Sequence, residues 1–367
     1  MNKGFSVYLD LVRFIAACLV YLYHSNQRLL VEQILPASDF GHSSVIVFFV
    51  LSGFVIAYVT DTKENTWTSY GASRLSRIYS VAVPAIILTL VLDSIGRHLF
   101  PALYAGYPYD QFLIRSLSSL FFTNEVWFIS ITSFSNVPYW SICYEIWYYA
   151  AFGILTFMPR RFAITLLLLL ATALGPKIIL LAPIWGMGVL LYHWQGPRRL
   201  STSTSWSLFA ATVVAIVLFH YHGVSPAITE WLKAQMGADL HRQLTFSKFF
   251  PADYILGILV AANFAAMRNV AAQTEPFMRI IERPVKTLAS YTFTLYLLHQ
   301  PLFLFWAAVL RGDPSGYGYW LATTVLMAAS VGIIGYFTEN KRHGLRKGIE
   351  NALCRIDSRL KVCHVQV

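Results

Sequence analysis

Residues 8–24 read Tyr8-Leu-Asp-Leu-Val-Arg-Phe-Ile-Ala-Ala-Cys-Leu-Val-Tyr-Leu-Tyr-His24. The apolar run 5–23 is long enough to cross a bilayer as one helix. It nevertheless contains Asp10 and Arg13 and ends at His24, and ionisable groups are costly in hydrocarbon. At ~100° per residue, Arg13 and His24 lie on nearly the same helix face ~16 Å apart, with Asp10 one turn before Arg13. The first span therefore carries a polar stripe that needs a functional explanation.

The composition of the remaining chain indicates a polytopic membrane protein. Of the 367 residues, 56% are hydrophobic and only 13% are charged, about half the charged fraction of soluble domains. The first span lacks the short apolar core and small-residue cleavage site of a signal peptide, so we expect it to be retained. We attribute the net charge of +10 to basic residues on the cytoplasmic side of the membrane and not to nucleic-acid binding. The four cysteines show no metal-ligand spacing, so neither a metal nor a disulfide framework is expected.

The hydropathy pattern predicts an all-α fold of about ten transmembrane helices, with both termini on one side of the membrane. The predicted spans are 5–24, 44–60, 78–95, 139–157, 162–175, 178–194, 206–222, 252–267, 287–310 and 318–338. Between them we expect a loop before residue 78, an extramembrane or interfacial segment at 96–138, and a polar connection at 223–250. Part of the second segment, 112–131, is a candidate additional span. The domain interpretation is a transmembrane domain over 1–340 and a basic cytoplasmic tail over 341–367.

The basic residues predict the orientation of these spans. With ten spans, 19 of the 28 Lys and Arg residues lie on the side of the two termini and eight on the other side. The excess marks the side of the termini as cytoplasmic. In this topology His24 comes near the external face and Arg13 lies about halfway across.

Two other spans offer polar partners for the stripe. In the span 139–157, Ser141 and Glu145 share a helix face, and a buried carboxylate there could orient or deprotonate an imidazole. The alternative is that Glu145 is solvated at the helix start, where the dipole favours negative charge. In the span 287–310, His299 lies deep in an apolar run with Tyr296 one turn earlier. Packing roles remain open for all of these residues, and His24 could simply extend its ring to the interface.

Two further features lie on the predicted cytoplasmic side and in the second span. Arg74 and Arg77 place two guanidinium groups one turn apart, a geometry that suits phosphate. Their alternative role is a positively charged anchor on the cytoplasmic side. Ser52 and Gly53 combine a hydroxyl with close backbone approach, which is also typical of ordinary helix packing in membranes.

Five blocks of the sequence, in order, resemble the membrane-bound acyltransferase-3 family, whose members O-acylate cell-surface glycans. They are Arg13 and His24 with ten residues between them, Phe48-Phe-Val-Leu-Ser-Gly-Phe54, Arg74-x-x-Arg77, Trp140-Ser-x-x-x-Glu145 and Tyr296-Leu-Leu-His-Gln-Pro301. The resemblance covers residues 5 to about 340. It departs at Tyr144, where a second acidic residue is common, and at Ser80, where a proline is usual.

The resemblance implies transfer of an acyl group, usually acetyl, from cytoplasmic acyl-CoA to a hydroxyl of an extracytoplasmic glycan. Arg74 and Arg77 would bind the nucleotide phosphates, and Arg13, oriented by Asp10, would contact the pantetheine arm. His24 would act either as general base on the acceptor hydroxyl or as a transient acyl carrier.

The same resemblance implies supporting roles for other residues. Glu145 would orient His24 or receive its proton, and His299 with Tyr296 would stabilise the oxyanion. Trp140, Ser141, Tyr296 and Ser52 are candidate substrate-binding residues. The expected partners are membrane lipid and the glycan acceptor, with no nucleic acid, in a multi-pass protein of the bacterial inner membrane. Self-association is left open.

The alternative function is a proton-coupled secondary transporter or lipid-glycan exporter. Intramembrane Asp, Arg and His residues also suit proton-coupled transport. The absence of internal repeats and the clustering of polar groups toward one face count against a transporter. Turnover of acyl-CoA by the purified protein distinguishes the two classes.

Overall fold

The computed structural model describes residues 1–32, 34–196 and 200–365, with backbone only for 359–365. Arg198 and Arg199, two of the basic residues that predict the orientation, lie outside the described residues. The described residues form fifteen α-helices, and their only strand-like pairing is an isolated bridge between Ser133 and Asn136. The prediction of an all-α fold is therefore confirmed for the described part of the chain.

The chain divides into two compact units, and the first contains Met1–Tyr58, Glu125–Ser130 and Ala171–Thr292. Its long central helix is α12, against which α1, α8 and α9 all pack. The helices that lie wholly or mainly in this unit are α1 (Lys3–Leu29), α2 (Gly41–Lys63), α8 (Pro176–His193), α9 (Thr202–Tyr221), α10 (Val224–Met236), α11 (Ala238–Gln243) and α12 (Phe250–Ala289).

The second unit contains Val59–Asn124, Ile131–Leu170 and Phe293–Val367. Its central helix is α3, which contacts α4, α5, α6, α14 and α15. The helices that lie wholly or mainly in this unit are α3 (Trp67–Leu99), α4 (Pro101–Tyr104), α5 (Phe112–Leu120), α6 (Trp140–Phe157), α7 (Arg160–Leu174), α13 (Thr292–Leu310), α14 (Tyr317–Thr338) and α15 (His343–Val365).

Eight helices of the described chain are long and apolar enough to cross a membrane: α1, α2, α3, α8, α9, α12, α13 and α14. They correspond to eight of the ten predicted spans, so the prediction of a polytopic membrane protein is confirmed. The other two predicted spans form α6 and α7. Because α7 has only 15 residues and α6 begins with polar and aromatic residues, membrane crossing by these two helices stays a prediction.

The expected loop before residue 78 is wrong, because α3 begins at Trp67 and places Arg74 and Arg77 inside the helix. The Thr66 hydroxyl caps it by accepting a hydrogen bond from the backbone N–H of Ser69 at 3.2 Å. The segment 112–131 does not form a span, because α5 has nine residues and ends at Leu120.

The polar segments that we interpreted as connections also contain helices. Residues 223–250 include α10, α11 and a 3₁₀ turn at Thr245–Phe249. The segment after 267 continues α12 to Ala289, and part of 341–367 forms α15. These helices are amphipathic or polar, so their hydropathy does not distinguish them from loops.

Candidate functional site

The polar stripe of α1 is present as an ion pair and an imidazole in the first unit. Arg13 Nη1 lies 3.1 Å from Asp10 Oδ1, and both side chains are mostly buried. His24 is half-buried, with the ring of Tyr23 edge-on at a centroid distance of 5.0 Å. The i, i+3 spacing of the charged pair is what the sequence predicts. Because the carboxylate of Asp10 orients the guanidinium of Arg13, that guanidinium is in position to bind a polar group.

The rotation of α1 is set by its contacts with α12. The Tyr8 hydroxyl bonds to Asn263 Oδ1, and Asn263 Nδ2 donates to the Thr212 hydroxyl at 3.0 Å. At Gly4 a Cβ would lie 2.6 Å from the Ala271 carbonyl oxygen. These buried polar contacts and this close packing hold α1 in one rotation about its axis.

Ser52 lies where α2 and α8 approach closely. Trp185 Nε1 donates a hydrogen bond to the Ser52 hydroxyl at 3.3 Å, and a Cβ at Gly53 would collide with the Trp185 carbonyl oxygen. This geometry assigns Ser52 and Gly53 to helix packing. A role of Ser52 in substrate binding stays a prediction.

A histidine–carboxylate pair that the sequence analysis missed lies at the starts of α2 and α12. His42 Nε2 is 3.0 Å from both carboxylate oxygens of Asp253. The Asp253 side chain is 3% exposed and that of His42 is 24% exposed. The ring of Phe249 lies 4.7 Å from the imidazole. His42 lies just before the predicted span 44–60 and Asp253 at the start of the predicted span 252–267, and no local pattern indicates that they pair.

A second missed pair in the first unit joins Glu125 to Lys177. The ammonium lies 2.5 Å from Glu125 Oε2 and also donates to the Ile129 carbonyl at 2.6 Å. The Ser130 hydroxyl donates to the other carboxylate oxygen at 2.7 Å. Both charged side chains are almost completely buried, at 0% and 2% exposure. The pair therefore fixes the segment Glu125–Ser130 to the start of α8.

In the second unit the structure brings Ser141 and Tyr296 together. Their hydroxyl oxygens are 2.6 Å apart, and both side chains are buried. Glu145, one turn after Ser141, accepts a hydrogen bond from the Tyr149 hydroxyl at 2.5 Å. Trp140 packs edge-on against Tyr144 at 5.2 Å between centroids. In such a pair one hydroxyl donates to the other, so at most one O–H can turn to a developing negative charge.

His299 is completely buried one turn after Tyr296. Its Nδ1 lies 3.0 Å from the Leu295 carbonyl oxygen, and its ring is 6.4 Å from that of Tyr296. The bond to a carbonyl requires Nδ1 to carry a proton. Ser141, Tyr296 and His299 thus form one buried group in the second unit.

Arg74 and Arg77 are held differently by α3. Arg74 is 5% exposed, lies 2.5 Å from Glu64 Oε2 and has its guanidinium over the ring of Tyr70 at 5.3 Å. Its Nε is buried without a hydrogen-bond partner. Arg77 is half-buried, and within the described chain it belongs to no ion pair.

The predicted site residues therefore fall into two sets, one in each unit. Asp10, Arg13, His24 and Ser52 lie in the first unit, and the others lie in the second. The proposed role of Glu145 toward His24 stays a prediction from the sequence. Among the residues that the structure describes, no three His, Cys, Asp or Glu side chains come together as a metal site would require.

An apolar cavity of about 600 Å³ lies between α8, α9 and α12 in the first unit. Met187, Leu191, Trp194, Ile258 and Ala262 are among the side chains that line it. Its lining contains no ionisable residue, so the chemistry of acyl or proton transfer does not belong there.

The model of an acyltransferase domain, that of the acyltransferase-3 family, matches residues 6–339. The chain belongs to the acyltransferase-3 family. The matched region contains both sets of candidate residues, and it ends where α14 gives way to the segment before α15. No solved structure matches the chain.

Two curated relatives of this acyltransferase-3 member are similar over part of their length. Exopolysaccharide production protein ExoZ of Rhizobium meliloti (strain 1021) is 28% identical over 148 residues, which is 38% of this chain and 42% of that protein. Acyltransferase MdmB of Streptomyces mycarofaciens is 25% identical over 179 residues, 46% of this chain and 43% of that protein. The chain thus spans less than half the length of the curated relatives it matches.

Proposed function

We propose that this acyltransferase-3 member transfers an acyl group, acetyl in the simplest case, from cytoplasmic acyl-CoA to a hydroxyl of an extracytoplasmic glycan. The observation that carries the proposal is the polar stripe of α1. A charged pair of Asp10 and Arg13 and an imidazole at His24 lie along one membrane-spanning helix of a chain in this family. The name of the relative ExoZ, an exopolysaccharide production protein, supports a glycan acceptor.

The proposed reaction is attack of the acceptor hydroxyl oxygen on the thioester carbonyl carbon. A C–O bond forms, the C–S bond breaks, and the CoA thiolate leaves. In one version His24 takes the hydroxyl proton and passes it to the thiolate. In the other, His24 attacks the thioester carbonyl first and the CoA thiolate leaves. The acceptor hydroxyl then attacks the acyl-imidazole, the C–N bond breaks, and the hydroxyl proton passes to the thiolate. Both versions require a neutral imidazole at the start.

Two features of the second unit would support this reaction. One O–H of the buried Ser141–Tyr296 pair would donate a hydrogen bond to the substrate. The His299 ring, one turn after Tyr296, would lie beside that group. Arg77 forms no ion pair with a carboxylate of the described chain, so its guanidinium would bind the phosphates of the donor.

The experiment that tests the proposal uses the purified protein in sealed proteoliposomes with labelled acetyl-CoA and acceptor glycan. We expect His24→Ala to abolish label transfer, because the stripe then lacks its base or acyl carrier. His193→Ala is the matched control, since His193 is an exposed histidine at the end of α8. Full transfer by His24→Ala would overturn the proposed mechanism.

The same assay separates the enzyme from a transporter. A proton-coupled transporter or lipid-glycan exporter neither transfers nor hydrolyses acyl-CoA. If the wild-type protein does neither while it moves protons or lipid-linked glycan across the vesicle membrane, the acyltransferase proposal fails.

A further inference from the structure

The last helix, α15, packs along the start of α3 in the antiparallel direction. Trp67 Nε1 donates a hydrogen bond to Asp357 Oδ1 at 2.9 Å. One turn further along α3, a Cβ at Gly71 would lie 3.2 Å from Leu353 Cδ1, and Leu353 is one turn back along α15. Continuing this register places the start of α15 beside Arg74 and Arg77.

Two more arginines lie at that start. Arg342 directly precedes α15, Arg346 follows one turn later, and both are half-buried. Burial lowers the pKa of Arg342, and the nearby charges of Arg77, Arg346 and Arg74 lower it further, while Glu339 opposes them. The four guanidinium groups of Arg74, Arg77, Arg342 and Arg346, here called the arginine cluster, are therefore neighbours.

The carboxylates near the arginine cluster neutralise only one of its four charges. Glu64 is paired with Arg74, and Glu339 Oε1 accepts a hydrogen bond from the Thr294 backbone N–H at 2.8 Å. Burial raises the pKa of Glu339, which favours its uncharged form. Within the described chain Arg342 and Arg346, like Arg77, belong to no ion pair. Like charges held together in a partly buried place repel one another, and a bound polyanion relieves that repulsion.

We propose that the arginine cluster binds the phosphate groups of the nucleotide thioester donor, with Arg342 and Arg346 supplying the half of the site that α3 lacks. This inference rests on the proposed function. Planar guanidinium forks bind phosphate oxygens in pairs, and Tyr70 together with Glu64 holds Arg74 in place. The shared ligand chemistry is a phosphate mono- or diester, which a nucleotide or a phospholipid headgroup can supply. The cluster has four guanidinium groups, three of them outside any ion pair of the described chain, and this fits the several phosphates of one nucleotide.

The test measures binding of CoA and of pantetheine, which lacks the phosphates, to the full-length protein in nanodiscs of zwitterionic lipid. We expect Arg342→Ala/Arg346→Ala to weaken CoA binding about tenfold to a hundredfold, since each lost charged hydrogen bond is on the order of one tenfold step. Pantetheine binding should not change. Arg355→Ala is the matched control on the exposed part of α15, and it should bind CoA as the wild type does.

Arg342→Lys/Arg346→Lys keeps the charge and packing but removes the forks, so a folded variant is available if the alanine pair is unstable. We expect an intermediate affinity. Equal CoA affinity in the wild type and both double variants would overturn the inference while leaving the proposed function intact. Failure of the wild type to bind CoA would instead overturn the proposed donor.

A third measurement tests whether the phosphate comes from a lipid. Nanodiscs that contain phosphatidylglycerol are extracted, and the lipid retained by each variant is measured. Loss of retained phosphatidylglycerol in the double variants, with CoA binding unchanged, would assign the cluster to a phospholipid headgroup and overturn the nucleotide assignment.

Discussion

Lys177 is the clearest case of a charge whose burial must be compensated. Its side chain has no exposure, and its ammonium contacts Glu125, the Ile129 carbonyl and the Thr245 hydroxyl. Removal of one member of a buried ion pair leaves the other uncompensated, which is far more damaging than the loss of a surface pair.

We therefore expect Lys177→Met to lower the free energy of unfolding by about 3–5 kcal/mol. The measurement is unfolding of the purified protein in detergent. Lys233→Met is the control, since Lys233 pairs with Glu230 on an exposed surface and should cost less than about 1 kcal/mol. Replacing both buried partners, as in Glu125→Leu/Lys177→Met, should restore much of the stability. If the two lysine variants were equally stable, the buried pair would have no special role.

The deficit of Lys177→Met should also depend on pH. Burial raises the pKa of Glu125 above its ordinary value of 4.5, and Lys177 is the strongest influence that opposes this. Without the lysine the pKa rises further. A carboxyl group with a higher pKa in the folded state binds more protons when folded, so stability is lost as the pH rises through that range and regained as it falls. The loss of stability in Lys177→Met should therefore become smaller as the pH is lowered toward 4.5. A loss of stability that does not change with pH would contradict this account.

Individual residues were predictable where their partners are close in sequence. The pairing of Asp10 with Arg13 follows from helix periodicity, and so does the shared face of Ser141 and Glu145. The pairs His42–Asp253 and Glu125–Lys177 join positions 211 and 52 residues apart. Only the packing of distant helices creates such contacts, and one sequence carries no local signal of them.

Among the helices, α2 and α8 depend on glycine for their contact. A Cβ at Gly188 would collide with the Val50 carbonyl oxygen, and one at Gly53 would collide with that of Trp185. Small residues at such crossings allow close backbone approach in membranes. Gly186 lies on the same helix, but a Cβ there would meet nothing within 4 Å.

This contrast predicts opposite effects of the same substitution. Gly186→Ala should be neutral or stabilise the protein by up to about 1 kcal/mol, because alanine favours helix over glycine. Gly188→Ala should lower the apparent melting temperature in detergent, since the two helix backbones must separate. If both variants melted above the wild type, the close approach of α2 and α8 would be wrong.

The sequence predicts a helix where the hydropathy is high enough to identify it. It does not predict the residues at which the helix ends. The apolar half of α12 matches the predicted span 252–267, but the helix continues for 22 more residues to Ala289. Its polar half is stabilised by i, i+4 pairs such as Glu275–Arg279 and Glu282–Lys286. Polar helices of this kind lie outside what a search for apolar runs detects.

The orientation of the chain in the membrane rests on its basic residues. The excess of Lys and Arg predicts that both termini are cytoplasmic and that the connection containing α10 is external. This prediction assumes ten spans, whereas eight helices of the described residues are long and apolar enough to cross a membrane. Orientation is therefore best tested by labelling.

Two single-cysteine proteins test it in sealed, right-side-out vesicles. One retains the exposed Cys354 of α15, with the other cysteines replaced by serine. The other carries Glu230→Cys on the exposed surface of α10 in a cysteine-free chain. We expect an impermeant maleimide to label the α10 position at once and Cys354 only after detergent is added. Labelling of both positions before detergent would contradict the predicted orientation.

The antiparallel contact between α3 and α15 has a bearing on how the protein is made. Trp67 and Asp357 are 290 residues apart, and the ribosome extends the chain from its amino terminus. During synthesis α3 therefore enters the membrane long before α15 exists, and its arginines at positions 74 and 77 face water or lipid without their later neighbours. The arginine cluster is completed only when nearly all of the chain has been translated, so nascent chains lack it.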